Sequence, residues 1–321
     1  MINVSSLSKY YGKNHALESI TFKAEKGEIL GLLGPNGAGK TTAMRILAGY
    51  LPPTSGKVTI GGFDVLENSL SARKLIGYLP EVVPLYPDMR VFNYLKFMAD
   101  LHHVGTVDEK INLVLEQVGM LDRSQSYIHK LSKGMRQRIG LAQAIIHQPE
   151  VLILDEPTIG LDPAQIKEVR NLIKSIGKQH TVLLSTHILP EAQQICDRVL
   201  IINKGRIIAE DTPEHLQSRM SGSRLVTVRI AGAITTATKA ISNIINSTEI
   251  DANTLQFENP PDQDLRPKVV YALSEHRIDL LEIFMEKVNL EDIFLQLTHS
   301  EPTDSDHKEE IHNSKQEQEG N

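Results

Sequence analysis

One cysteine, Cys196, serves a chain of 321 residues. It excludes an internal disulfide, and a lone thiol fits a reducing compartment, where it packs as a small apolar side chain. Runs of Lys and Arg are also missing and the formal charge is −6, so nothing electrostatic points to nucleic acid. No stretch reaches the roughly 18 uninterrupted apolar residues of a membrane span. The N-terminal MINVSSLSKYYG lacks the basic and then apolar segments of a signal peptide. The chain is thus expected not to cross a bilayer by itself. No motif occurs twice, which argues against a tandem repeat.

Short apolar runs bounded by turn residues are present instead: EILGLLG at 28–34, VLILDEP at 151–157, TVLLSTH at 181–187 and RVLIINKG at 198–205. They alternate with longer helical patterns, including MRVFNYLKFMADLHH and VDEKINLVLEQVG between 88 and 130. This is the signature of an α/β core whose central strands are buried on both faces. INVSSLSKYYG, LESITFKAEKGE and GKVTIGGFDV alternate apolar and polar residues around glycine turns, which predicts an antiparallel sheet beside the parallel one. After DTPEHLQSRM the pattern changes. SRLVTVRIAG, a helical stretch around TATKAISNIIN, the breaker-rich FENPPDQDLRP, KVVYALSE and a helical RIDLLEIFMEKVNLEDIFLQLT predict a small α+β domain at 216–300. The last 21 residues carry seven acids and one aliphatic residue, Ile311. Such a composition cannot form a core and predicts a disordered acidic tail at 301–321.

GPNGAGKTT at 34–42 follows the strand ILGLL and opens the helical run TTAMRILAGYL. It satisfies G-x-x-x-x-G-K-[ST] in the strand–loop–helix setting that gives the pattern its mechanics. Gly34, Pro35, Asn36, Gly37, Ala38 and Gly39 form a loop whose N–H groups can converge on phosphate oxygens, with the helix N-terminus behind them. Lys40 would reach the β and γ phosphates of ATP, Thr41 would ligate Mg²⁺, and Thr42 would bond an inner phosphate. VLILDEPT ends a buried strand in two carboxylates, which is costly unless they meet a cation or donors. Asp155 suits the metal shell and Glu156 the activation of a water. A helix N-cap before Pro157 would explain one of these acids but not both.

LSKGMRQR at 131–138, IGLDP at 159–163 and STH at 185–187 follow in that order, once each. With them the sequence resembles an ATP-binding cassette (ABC) ATPase, the motor subunit of ABC transporters, over about residues 2–215. The resemblance implies an α/β P-loop cassette at 1–215, with a mixed core sheet, an antiparallel β subdomain and a helical subdomain at about 88–147. It also implies roles. Tyr11 would stack on adenine; Ser132, Gly134 and Gln137 would serve, from the signature, a nucleotide held by the opposite subunit; Asp162 lies in the D-loop; His187 is the switch histidine that meets the γ-phosphate. One phosphate loop and one signature per chain imply a head-to-tail dimer around two ATPs. Lys133 stands where the family signature has glycine. The remaining histidines, among them the His102–His103 pair, have no metal-ligand spacing and read as surface residues.

Prolines at 80, 84 and 87 rule out a regular helix or a central strand over those eight residues. Glu81 is the only charge from 75 to 87. Family members usually carry glutamine there, at the start of the Q-loop, which touches Mg²⁺ or water and the membrane subunit. Glu81 following Leu79-Pro80, and NLEDIFLQLT at 289–298, resemble the ABC-2-type exporters, including gliding-motility-like members. That resemblance implies an ATPase on the cytoplasmic face of the membrane, partnered by a membrane-spanning permease and a second ATPase subunit, using ATP and Mg²⁺. A soluble cassette protein of ribosomes or DNA would carry two cassettes or a long coiled-coil insertion. Only 92 positions separate Lys40 from Ser132, without sustained heptads.

Overall fold

The computed structural model describes residues 1–220, 224–260 and 263–285. The chain divides into two compact units, Met1–Arg219 and Met220–Asn321. In the first, strands β1 (Ile2–Tyr11), β2 (Asn14–Ala24) and β3 (Ile29–Leu33) lead into helix α1 (Lys40–Leu47). Strands β4 (Ser55–Ile60) and β5 (Phe63–Asp64), helix α2 (Ser69–Lys74) and strand β6 (Ile76–Leu79) follow. Helices α3 (Val91–Leu101), α4 (Val107–Gln117) and α5 (Lys133–Ile145) form the helical part. Then β7 (Val151–Asp155), α6 (Pro163–Gly177), β8 (Thr181–Thr186), α7 (Leu189–Ile195), β9 (Arg198–Asn203), β10 (Arg206–Asp211) and α8 (Pro213–Met220) alternate.

β3, β7 and β8 are buried at every position, which is why their sequences are continuous apolar runs rather than alternating ones. They belong to a six-stranded sheet of order β10-β9-β3-β8-β7-β6, parallel from β9 to β6 and closed at one edge by antiparallel β10. β10 alternates exposed and half-buried residues, as an edge strand does. A second, antiparallel sheet of order β2-β1-β4-β5 comes from the alternating N-terminal segments. Its inward residues share one apolar cluster with α1 and the main sheet, including Val4, Leu17, Phe22, Met44 and Leu200.

The helical part rests on stripes spaced three and four residues apart: Val91, Tyr94, Leu95 and Ala99 of α3, and Ile111, Val114 and Leu115 of α4, are buried. α5 approaches β6 so closely that a Cβ on Gly77 would stand 2.0 Å from the Ala144 carbonyl oxygen. Residues 80–90 are irregular, as the three prolines require.

The second unit runs β11 (Arg224–Ala231), α9 (Ile234–Ile241), β12 (Ser247–Asp251), β13 (Thr254–Asn259), α10 (Arg266–Glu275) and β14 (Asp279–Met285). Its antiparallel sheet has the order β12-β13-β11-β14, a ferredoxin-like split βαβ arrangement. Ala237 and Ile241 of α9 and Val269 and Leu273 of α10 cover Val226, Val228, Ile230, Leu255 and Phe257. The helix expected over RIDLLEIFMEKVNLEDIFLQLT is corrected here, because Asp279–Met285 is a strand. Arg229 pairs with Glu282 but Ile230 with Leu280, so Leu281 is an extra, bulged residue. The bulge shifts the phase of the strand, so that Leu280, Ile283 and Met285 pack on the core. A spacing of three followed by two imitates a helical stripe. The rest of that segment, with the NLEDIFLQLT ending, and the acidic tail lie outside the described residues.

Candidate nucleotide-binding site

Because β3, β6, β7, β8 and β9 are parallel, their C-terminal ends share one edge of the sheet. Open α/β sheets bind ligands at that edge, where the strand order reverses around the first strand. The loop 34–39 leaves β3 there, Glu81 follows β6, Asp155 and Glu156 end β7, and His187 follows β8.

The loop turns through left-handed Gly37 and Gly39, with φ of 81° and 109°. A Cβ on Gly39 would also stand 2.4 Å from the Ala16 carbonyl oxygen, so no other residue fits. α1 then begins at Lys40 with no side-chain cap and no acid in its first turn. Its first N–H groups and the positive end of its dipole are left for an anion.

Lys40 is buried, and its Nζ donates to the carbonyl oxygens of Gly34 (2.8 Å) and Pro35 (3.1 Å) and pairs with Glu156 Oε1 at 3.3 Å. Glu156 takes a left-handed backbone with φ of 48°, an unfavourable conformation for a long side chain. Its N–H donates to Ser185 Oγ (3.0 Å), and its Oε2 lies 2.9 Å from His187 Nδ1. The carboxylate is thus held between a cation and an imidazole.

Asp155 is fully buried. Its Oδ1 accepts from Ser185 Oγ at 2.6 Å and from Thr41 Oγ1 at 3.4 Å, while Oδ2 has no hydrogen-bond partner. Burial pushes this carboxyl above the usual aspartate range, the two hydroxyls oppose that, and the charges of Glu156 and Glu81 add to it. An orphaned, desolvated oxygen beside a threonine hydroxyl fits a hard divalent cation. No group of three or more His, Cys, Asp or Glu side chains forms a metal cluster among the described residues. Mg²⁺ needs none, since it is commonly held by one or two carboxylates, a hydroxyl and substrate phosphates.

A concavity of about 660 Å³ opens over the loop. Of the residues singled out in the sequence, Tyr11, Asn36, Gly37, Gly39, Lys40, Thr41, Thr42, Glu81 and Glu156 line it, while Gly34, Pro35 and Ala38 form the turn beneath. Tyr11 is half-exposed, with Lys9 Nζ 5.4 Å from its ring centroid. Asn14, His15, Ala16, Ile159 and Lys204 also line it and were missed. The first three lie in the chain that follows Tyr11. Lys204 arrives only through topology, because β9 neighbours β3 and the Gly205 N–H donates to the Ala38 carbonyl.

Ser132 and Gly134 do not join this concavity; they line a separate one with Met135, Arg138, Gln165 and Glu168. Ser132 caps α5 by accepting from the Met135 N–H, and its hydroxyl proton stays available. Gln137 lies in neither concavity: it is buried, with its Nε2 unpartnered. Asp162 caps α6 by accepting from the Gln165 N–H at 2.9 Å, a structural use of the D-loop acid.

The sequence matches the ABC transporter family over residues 17–159. The linearmycin resistance ATP-binding protein LnrL of Bacillus subtilis is 33% identical over 93% of this chain and 98% of its own length. The chain belongs to the ATP-binding subunits of ABC transporters. This cassette binds and hydrolyses ATP, the activity of its family. Nod factor export ATP-binding protein I of Rhizobium etli is 32% identical over 92% of the cassette chain and 93% of its own. The dimeric structure of MJ0796, a bacterial ABC transporter cassette, superposes with a TM-score of 0.61 at 23% identity, over 66% of this chain and 99% of that one. No described helix is long and apolar enough to cross a membrane.

Proposed function

We propose that this ATPase powers export through a separate membrane-spanning subunit, from the cytoplasmic face, as a pair of cassettes that closes on ATP and Mg²⁺. The observation that carries this is the extent of the similarity. The relatives named for linearmycin resistance and Nod factor export align over more than nine-tenths of the chain, the second unit included. The separation of Ser132 and Gly134 from the loop concavity supports a second chain as the supplier of the signature, as does a dimeric cassette of the same fold.

In this reading the N–H groups of the loop and α1 hold the phosphates, and Tyr11 presents its ring to adenine. Thr41 and Asp155 would hold Mg²⁺, with Glu81 at the rim, and the bound ion would supply screening of the charge that develops on the phosphates. Glu156 receives a proton from the water whose oxygen attacks the γ-phosphorus as the bond to the β–γ bridging oxygen breaks, leaving ADP and phosphate. Lys40 turns from Glu156 to the phosphates, which frees Glu156 Oε1 for that water. His187 orients the carboxylate through Oε2 and reaches the γ-phosphate. Closure and reopening are a population shift driven by the affinity of ATP for the closed pair.

Purification of the full chain from native membranes tests the assignment. A polytopic membrane protein recovered in stoichiometric amount, which stimulates ATP hydrolysis, is expected. Recovery with ribosomes and no membrane protein overturns it.

A further inference from the structure

The segments that carry Glu156 and His187 lie beyond the end of a β-ladder. The β7–β8 pairing stops at Asp155 and Ser185. Among the described residues no main-chain hydrogen bond joins 156–161 to 186–191. Besides the Glu156–His187 contact itself, a second buried side chain bridges that interval.

Glu191, in the first turn of α7, is 3% exposed. Its Oε2 accepts from Thr158 Oγ1 at 2.6 Å and from Thr186 Oγ1 at 3.2 Å. Thr186 Oγ1 in turn accepts from the Ile188 N–H at 3.0 Å, so one hydroxyl ties the residues on both sides of His187. Glu191 Oε1 has no hydrogen-bond partner. A carboxylate buried with one oxygen unsatisfied is a costly way to fill a core, and an aliphatic residue of that size would avoid the cost. Two threonines converging on it, one from each strand exit, point to a positional task.

We propose that Glu191 is a positioning residue for ATP hydrolysis: it clamps Thr158 to Thr186 and thereby holds His187 against Glu156. The inference rests on the reading that Glu156 and His187 serve the attacking water and the γ-phosphate. Lys40 and the phosphate loop stand on other elements: Lys40 bonds to Gly34, Pro35 and Glu156, and the Gly34 N–H meets the main-chain carbonyl of Thr186 (3.4 Å), not the hydroxyl that Glu191 holds. Loss of the clamp therefore lowers the population of the paired carboxylate and imidazole without removing the nucleotide's main contacts. The effect falls on kcat rather than on KM.

The test is phosphate release by the purified full-length chain as a function of ATP. Glu191→Ala lowers kcat by about tenfold or more and leaves KM within about twofold. Glu191→Gln, whose amide oxygen accepts the same two hydroxyls, restores most of the rate, and Thr186→Val loses it again. In a His187→Ala background, Glu191→Ala costs less than about twofold more, because the two residues act through one contact. Multiplicative losses in that cycle overturn the proposal, as does a Gln variant as impaired as the Ala variant. Wild-type turnover in Glu191→Ala with an impaired His187→Ala sinks the clamp and leaves the role of His187 standing. Wild-type turnover in His187→Ala removes both. Should Glu191→Ala fail to fold, Thr186→Val carries the same cycle with His187→Ala, and Glu191→Gln stays the variant that keeps most of the rate.

Discussion

Lys40 Nζ lies 3.3 Å from Glu156 Oε1, and both side chains are more than nine-tenths buried. The loop's only cation is thus engaged by the carboxylate proposed to activate water. In that proposal a γ-phosphate and Glu156 compete for it, so nucleotide binding and release of the carboxylate would be the same event. In the absence of ATP the pair also avoids leaving a charge buried and alone.

Glu156→Gln removes the competitor and the base together. ATP binding is retained or tightened, the closed pair accumulates, and phosphate release falls by about 10²–10⁴-fold, the usual contribution of a general base. Single-turnover phosphate release and ATP titration measure the two effects. Near-wild-type turnover would take Glu156 out of this role.

Lys40→Ala weakens ATP binding by about tenfold or more and lowers thermal stability, because it strands a buried Glu156. Lys40→Ala combined with Glu156→Gln recovers the melting temperature but not the affinity. Unchanged affinity in the single variant would show that the loop does not hold phosphates.

Glu81 lines the concavity as an exposed acid whose charge raises the Asp155 carboxyl. Replacement by the glutamine usual in the family removes one negative charge near the proposed Mg²⁺ position. Hydrolysis in Glu81→Gln then depends more weakly on Mg²⁺ concentration, by roughly a few-fold in the half-saturating value. An unchanged Mg²⁺ titration, together with unchanged stimulation by the membrane partner, makes Glu81 a bystander at a strand end.

His147 stacks on His102 with centroids 3.9 Å apart, and its Nε2 lies 3.1 Å from the Ile76 carbonyl oxygen. Burial first, and then the neighbouring His102, pushes its pKa down to about 4. The unfolded chain, with an ordinary value of about 6.5, binds the proton first. Stability is therefore full above about pH 6.5 and is lost as the pH falls toward 4. A loss of about 1 kcal/mol between pH 7 and 5 is expected in urea titrations, after allowance for solvent screening. His147→Phe flattens that slope; an equal slope in the variant assigns it to other groups.

The central strands and the phosphate loop were legible because full burial and glycine geometry leave few alternatives for ILGLL, VLILD and GPNGAGK. β14 was not, because one bulged residue made a strand read as a helix. His147 read as a surface residue, since nothing local announces a ring sandwiched between the end of α3 and the start of β6. The Glu191 bridge was equally silent: its partners are 33 and 5 positions away, and only the parallel order of β7 and β8 brings them together. Residue types at short spacing disclose chemistry. Contacts made by topology do not.

Each chain carries its phosphate loop and its signature serine in separate concavities. If two copies of this chain pair head to tail, as proposed, two damaged chains mend one another. A Lys40→Ala lesion spoils the loop of one chain, and an obstructing Ser132→Arg lesion spoils the signature of the other. When the two chains mix, one composite site collects both defects and the other collects none. Equimolar mixing should bring back a substantial part of the hydrolysis that neither variant shows alone, and genetic complementation between two null alleles becomes possible within a single gene.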